Sequence, residues 1–303
     1  RKRTQGTSWY NETLNTATRG SRKEFPAVAV IVAAANTLTI YDGDDPSMPM
    51  WMVFNHNDSG TTMLGRGDVD ATSVSAENSI LCIGSSGTSY GTLSIINFVS
   101  EECTIDFANA YTRTGGVVQR NNNGQTMYAN GNPAIVNMHV NDIAMTVLPN
   151  APIDSATGLP IPTIAVATGG GVSVIKDDGS VVDMKVSTNG YKAWKVFFDE
   201  NLRACWLQGY SDLYPYKLFR FSIPTSDTSY SSASGMTSTS IPSILGAVNT
   251  GSLLLSDYIE DVAGGTKGLT IIDEDLVDTT KGSVAYITSD YNTGYMVGDI
   301  KLA

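Results

Sequence analysis

Charge, histidine and cysteine are all scarce in this chain. Asp, Glu, Lys and Arg make up 16% of the 303 residues, against roughly 25% in an ordinary soluble domain. Solubility therefore rests on Ser, Thr, Asn and Gly, the residues of turns. The two histidines, His56 and His139, have no partner at a spacing used by metal sites or general bases. Three cysteines, Cys82, Cys103 and Cys205, are too few and too odd in number for a disulfide framework. Cys82 and Cys103 fall in neighbouring expected strands, where buried free thiols are ordinary core residues. No apolar run approaches the roughly 20 residues of a membrane-crossing helix. No sustained 3.6-residue apolar period occurs, so almost no helix is expected. The charge that is present is unbalanced: 30 acidic against 19 basic residues give a net −11. Such a surface repels phosphate backbones and argues against nucleic-acid binding.

What the chain has is a repeat. An aliphatic–Ser/Thr–aliphatic motif reads Leu38-Thr39-Ile40-Tyr41-Asp42, Leu93-Ser94-Ile95-Ile96-Asn97, Val172-Ser173-Val174-Ile175-Lys176 and Leu269-Thr270-Ile271-Ile272-Asp273. A looser copy is Leu218-Phe219-Arg220-Phe221-Ser222. In chain order the copies lie 55, 79, 46 and 51 residues apart. Self-similarity near 40–50 residues, with several strands per unit, is the mark of a β-propeller. The expected fold is therefore all-β, a β-propeller of five or six blades with its ring closed by strands from both termini. Residues 1–25 are expected as an extended N-terminal arm and 26–303 as the propeller domain.

Strands are expected at 27–35, 37–42 and 50–55, then 71–75, 80–84, 92–98 and 103–107. The third unit offers 142–148, 163–168, 172–176 and 181–185, and the fourth 193–198, 203–209 and 217–223. A fifth unit covers about 244–276, and a last hairpin joins 283–288 to 294–300. The first unit lacks its innermost strand. Asp178-Gly179 signals a tight hairpin with both central residues at positive φ. Two segments escape the repeat: the Asn/Gly-rich 108–133 and the Ser/Thr-rich 225–243.

Few residues invite chemistry. Gly87-Thr88-Ser89-Tyr90-Gly91 matches a hydrolase nucleophile elbow, but that mechanism needs a helix after the serine, and here a strand follows. Arg66-Gly67-Asp68 is the cell-adhesion tripeptide, set in a Gly-rich turn. Acidic clusters at Asp42, Asp44 and Asp45, at Asp177 and Asp178, and at Asp273, Glu274, Asp275 and Asp278 offer hard oxygen ligands for Ca²⁺, yet none fits a twelve-residue Ca²⁺ loop. They read first as solvated turns, so no cofactor is expected. A propeller glycosidase would need carboxylates at the axis, which sequence alone does not place. Tyr210, Tyr214 and Tyr216, beside the strand residues Trp194 and Trp206, offer flat faces for a sugar or a partner. Arg1, Lys2, Arg3, Trp9 and Tyr10 are the candidate contacts of the arm with a neighbouring subunit.

Asp42-Gly43-Asp44-Asp45-Pro46 followed by Pro49-Met50-Trp51-Met52-Val53-Phe54 resembles a segment of tail-associated β-repeat virion proteins of marine tailed bacteriophages. The ending Val284-Ala285-Tyr286-Ile287-Thr288-Ser289-Asp290-Tyr291-Asn292-Thr293-Gly294-Tyr295-Met296-Val297-Gly298-Asp299-Ile300-Lys301-Leu302-Ala303 and the start Arg3-Thr4-Gln5-Gly6-Thr7-Ser8-Trp9-Tyr10 are similar to the same group. The resemblance implies a non-enzymatic structural role in the extracellular particle, in several copies among other virion subunits, with contact to a host-surface glycan. Its motifs are not catalytic and bring no active site with them. The alternatives are a carbohydrate-binding propeller module and a propeller glycosidase.

Overall fold

The computed structural model describes residues 3–56, 60–107, 109–186, 191–198, 204–210, 217–230, 284–286 and 300–302. The expected fifth unit lies outside them. The described chain is all-β, with one short 3₁₀ turn at Val117–Gln119. Its first sheet is β1 (Ala29–Ala34), β2 (Thr37–Asp42) and β3 (Met50–Asn55). The second runs β4 (Val69–Glu77), β5 (Ile80–Gly87), β6 (Gly91–Asn97), β7 (Cys103–Asp106), β8 (Ala110–Arg113) and β9 (Met127–Ala129). The third is β10 (Val140–Thr146), β11 (Thr163–Thr168), β12 (Gly171–Ile175) and β13 (Val181–Val186). The fourth is β14 (Tyr191–Phe198), β15 (Ala204–Tyr210) and β16 (Lys217–Phe221). Each is an antiparallel meander. Then β17 (Thr228–Tyr230) returns to lie parallel on β13, and β18 (Val284–Tyr286) pairs with β19 (Ile300–Leu302).

Local chemistry sets the turns. Asn78 and Ser79 both take positive φ, at 48° and 68°, and join Glu77 to its partner Ile80. This is the two-residue turn whose twist matches that of the strands. The Asp178-Gly179 link differs from expectation. Of its two named residues Gly179 alone has positive φ, 82°. Lys176 donates its amide to Ser180 O across a five-residue loop, and Ile175 pairs with Val181. The Asn/Gly-rich segment after Phe107 also holds more order than its composition suggests. Strands β8 and β9 within it extend the second sheet.

Strands with apolar residues on both faces must be covered twice, and the sheets stack face to face in chain order to achieve this. Leu81, Ile83 and Ile96 turn one way, to pack with Leu38, Ile40, Trp51 and Phe54 of the first sheet. Their neighbours Cys82, Leu93 and Ile95 turn the other way, toward Val140, Ile143, Ile164 and Val166 of the third. There Gly84 admits β10: a Cβ on it would stand 2.5 Å from Val140 Cγ1. On its far side the third sheet turns Ala165, Ala167, Val172 and Val174 to Ala193 and Val196 of the fourth. Among the described residues the stack forms no closed ring.

The segment expected as an extended arm folds back into the first core. Trp9 is 0% exposed and packs edge-on against Trp51 and Phe98. Its indole N–H donates to Phe98 O at 2.6 Å. Beyond it Glu12 sits between two buried guanidiniums, 2.9 Å from Arg120 Nη1 and 3.6 Å from Arg19 Nε. Arg19 also donates to the carbonyls of Arg22, Trp51 and Lys23, and Arg120 to those of Val53, Thr18 and Val117. Burial, partly offset by Glu12, lowers the Arg19 pKa to about 10. Removing one member of such a group strands the others in a dry interior, at a cost of about 3–5 kcal/mol. Glu12→Ala is therefore expected to lower the free energy of unfolding by that amount, read as a lower urea midpoint at unchanged m, whereas changing exposed Glu102 to Ala leaves the midpoint in place. Equal midpoints for the two variants would show that the segment is not built into the core.

Candidate functional site

Three strands lead their sheets where one sheet meets the next: β4, β10 and β14. Each carries a β-bulge, at Thr72, Asn141 and Trp194. A bulge twists its strand and re-aims a side chain, and here the aim repeats. Thr72 Oγ1 donates to the carbonyl before the next bulge, Val140 O, at 2.7 Å. Asn141 Nδ2 does the same one sheet later, to Ala193 O at 2.7 Å. The residue after each bulge completes the tie. Ser73 Oγ accepts the Ile143 amide at 3.1 Å, and Asp142 Oδ2 accepts the Val196 amide at 3.2 Å. Ser73 also donates to Asp142 Oδ1 at 2.7 Å, with Lys195 Nζ 3.7 Å from the same oxygen.

Asp142 is the described carboxylate nearest in kind to the axial acid of a glycosidase. Burial pushes its pKa above the usual carboxylate range, against the opposing effects of Lys195, Ser73 and two backbone amides. A raised carboxyl suits a general acid only if it can reach a substrate. Here Oδ1 faces Ser73 and Lys195 and Oδ2 faces the Val196 amide. Lys195 is itself only 7% exposed in its side chain. The group joins three strands from inside.

A second constellation lies at one end of the second sheet. The Arg66 guanidinium rests 4.3 Å from the Phe107 ring centre and 5.0 Å from that of Tyr90. Phe107 in turn stacks on Tyr111 at 4.7 Å and 5°. Tyr90, at the tip of the β5–β6 turn, is 37% exposed. The adhesion-like tripeptide is held from within. Arg66 lies between rings, the Gly67 amide donates to Gly60 O, and the buried His56 contacts Gly67 O and Thr62 Oγ1. On the same turn side, Ser86 Oγ lies 3.1 Å from His139 Nδ1. No carboxylate among the described residues is hydrogen-bonded to His139, so the pair lacks the third group that orients a catalytic imidazole. What remains is a planar, polar-edged surface on a rigid sheet, chemically suited to contact.

The other sequence candidates divide. Ser89 is exposed in a hairpin closed by Gly87 N–H to Tyr90 O, with β6 following, so the elbow motif is a turn. Trp9 is enclosed by its own chain and offers no face to a neighbour. Tyr10 packs beside it, half-buried. Arg3 donates to the carbonyls of Ser155 and Ala156 in the insertion between β10 and β11. Asp42 and Asp44 meet the Arg22 guanidinium at 2.8 Å, and Asp44 accepts the amides of Ala27 and Val28. The Arg22 guanidinium thus serves as the counter-cation of this acidic turn. Asp45 and Asp178 accept from Ser47 and Ser180 within their own turns. Tyr210 ends β15, paired with Tyr191. Arg1, Lys2, Tyr214, Tyr216 and the acids at 273–278 lie outside the described residues. Cys82 and Cys103 are buried free thiols with β6 between them, their pKa values raised by burial.

Sequence reasoning missed the bulge ties. Their signal is a break in alternation, two residues between aliphatic ones where a regular strand has one: Ala71-Thr72-Ser73-Val74, Val140-Asn141-Asp142-Ile143, Ala193-Trp194-Lys195-Val196. Searches among protein-family models and curated proteins find no match to the chain.

If the Asp142–Lys195 pair is a structural tie, Asp142→Asn costs about 3–5 kcal/mol by leaving a buried ammonium unpaired. Asp142→Asn combined with Lys195→Met recovers most of that loss. Denaturant titration of the wild type, both single variants and the double variant reads this directly. A double variant as unstable as the sum of the singles would remove the tie.

Proposed function

We propose that this chain is a non-enzymatic structural subunit of a tailed-bacteriophage virion, built as a β-propeller and present in several copies. One observation carries the reading. Buried groups that could do chemistry are turned inward to hold sheets and turns: Asp142 with Lys195 and Ser73, Glu12 with Arg19 and Arg120, and Asp183 with Ser173 at 2.7 Å. Such a molecule offers rigidity and surface. The successive stacking of antiparallel meanders, with β4 tied to β10 and β10 to β14, supports reading them as neighbouring blades. The likeness of both ends and of the 42–54 segment to tail-associated virion proteins supplies the setting. The acidic net charge of −11 fits docking to other proteins better than to nucleic acid.

The exposed Tyr90, braced by Arg66, favours one secondary reading, contact with a host-surface glycan. Aromatic faces with polar edges stack on sugar rings.

Gold-labelled antibody against this chain, viewed by electron microscopy on purified particles, is expected to mark the tail or its tip at several positions. Finding the chain only as a free monomer in infected cells would overturn the virion role. For the secondary reading, glycan-array binding is expected to fall at least about tenfold in Tyr90→Ala, the loss of one stacking contact. Binding unchanged by that substitution removes Tyr90 as the contact.

A further inference from the structure

One guanidinium in this chain is held in place without being used. Arg3, Arg19, Arg22, Arg113 and Arg120 each donate hydrogen bonds to carbonyls or carboxylates of the chain. Arg66 does not. Its guanidinium lies 4.3 Å from the Phe107 ring centre and 5.0 Å from that of Tyr90. Among the described residues no carbonyl or carboxylate accepts from it, and the exposed Asp68 two residues on forms no ion pair with it. Aromatic faces attract a cation but leave the N–H groups at the edge of its plane unserved.

The support around it is rigid. Phe107 is backed by Tyr111, stacked at 4.7 Å. Gly67 has a φ of 73°, and a Cβ there would stand 2.7 Å from Tyr90 Cδ2. The Tyr90 ring therefore lies close against the turn that carries Arg66. That turn is pinned from below, with the Gly67 amide donating to Gly60 O and the Gly67 carbonyl meeting His56 Nε2. Tyr90 is exposed, and its hydroxyl makes no hydrogen bond among the described residues. Binding through an arginine ordinarily costs the rotamer freedom of a long side chain. Here the rings have removed much of that freedom before any ligand arrives.

We propose that Arg66 and Tyr90 form a binding site for an acidic sugar, a uronic or sialic acid residue whose carboxylate takes the Arg66 N–H groups while its ring lies against Tyr90. The inference rests on the glycan-contact reading above and names the class of sugar. A planar fork of N–H donors matches a carboxylate, and an aromatic ring with a polar tip matches a pyranose with its hydroxyls. One fork beside one open ring is the span of a single sugar residue. Charge points the same way. In a chain of net charge −11 an unpaired cation is a local exception, and one carboxylate satisfies it with less repulsion from the rest of the surface than a multiply charged ligand would meet.

The test uses the full chain on an array of oligosaccharides ending in glucuronic, galacturonic or sialic acid. Each stands beside a counterpart whose carboxylate has been reduced to a hydroxymethyl group. Acidic members are expected to bind, and reduction to weaken binding at least about tenfold, the loss of one charge-assisted pair. This arm needs no variant and so does not depend on one folding. Arg66→Gln is expected to weaken binding of the acidic sugar by about the same factor and to abolish any further effect of reduction. Arg66→Lys restores only part of the loss, because an ammonium has the charge without the fork. Equal binding of acidic and reduced members, or a carboxylate preference that survives Arg66→Gln, overturns the proposal. So does an array on which nothing binds, or on which sulfated sugars or a tetraglutamate peptide bind more tightly than the sugar acids. The two readings separate cleanly. Neutral sugars bound through Tyr90 with no gain from a carboxylate overturn the acidic-sugar site and leave the glycan contact standing. Acidic sugars bound through Arg66 but indifferent to Tyr90→Ala overturn the aromatic contact.

Discussion

The stacking of the described sheets follows from inner sheets that are apolar on both faces. A strand such as Ile80–Gly87 turns Leu81 and Ile83 to one side and Cys82 to the other, so one covering layer is not enough. A two-layer sandwich leaves each sheet a wet face. Successive stacking covers both faces of the inner sheets, the second and third, while the first turns Val30 and Val32 outward. The constraint reaches down to single atoms at Gly84, where any side chain would hold β10 away from β5. It also explains why so little charge is tolerated: a strand covered on both sides has few positions that reach water.

Apolar burial is non-directional and does not by itself fix how one sheet slides over the next. The bulged leading strands supply that information. Thr72 and Asn141 each find a particular carbonyl, and Ser73 and Asp142 each find a particular amide, so a shift by one residue would break every tie together. The Asp142–Lys195 pair adds a charge that is tolerable only in one register. Buried ion pairs add little net stability but penalise wrong arrangements heavily. The interface between the third and fourth sheets depends most on this device, because its apolar side chains are small: Ala165, Ala167, Val172, Val174 and Ala193. Where the side chains are large, between the first and second sheets, shape itself selects the fit through Trp9, Trp51, Phe54 and Phe98.

This division explains what could be read from the sequence. Strands with local signals were legible: β2, β3 and β11 fall where their apolar runs and flanking turns place them. The all-β class followed from the absence of a helical period. What needed distant partners was not legible. Residues 3–25 are polar and irregular, so nothing local shows that Trp9 enters a core made by residues about 40 and 90 positions away, Trp51 and Phe98. Strands β8 and β9 sit in an Asn/Gly-rich stretch and exist because β7 offers an edge. The bulges were written in the sequence as two residues between aliphatic ones where a regular strand has one, but such a break reads as a strand end until the register of the neighbouring strand is known.

The same logic bears on function. An active site needs polar groups whose bonding is unfinished, waiting for substrate. Asp142, Glu12 and Asp183 have their partners within the chain, and the Ser86–His139 contact has no carboxylate behind it among the described residues. Among the described residues, the buried polar atoms without a hydrogen-bond partner include the Trp51 and Trp194 indoles, Ser94 Oγ and Thr163 Oγ1, within or between sheets, and an aromatic face is exposed at a turn, on Tyr90. The structural-subunit role proposed above is consistent with such an arrangement.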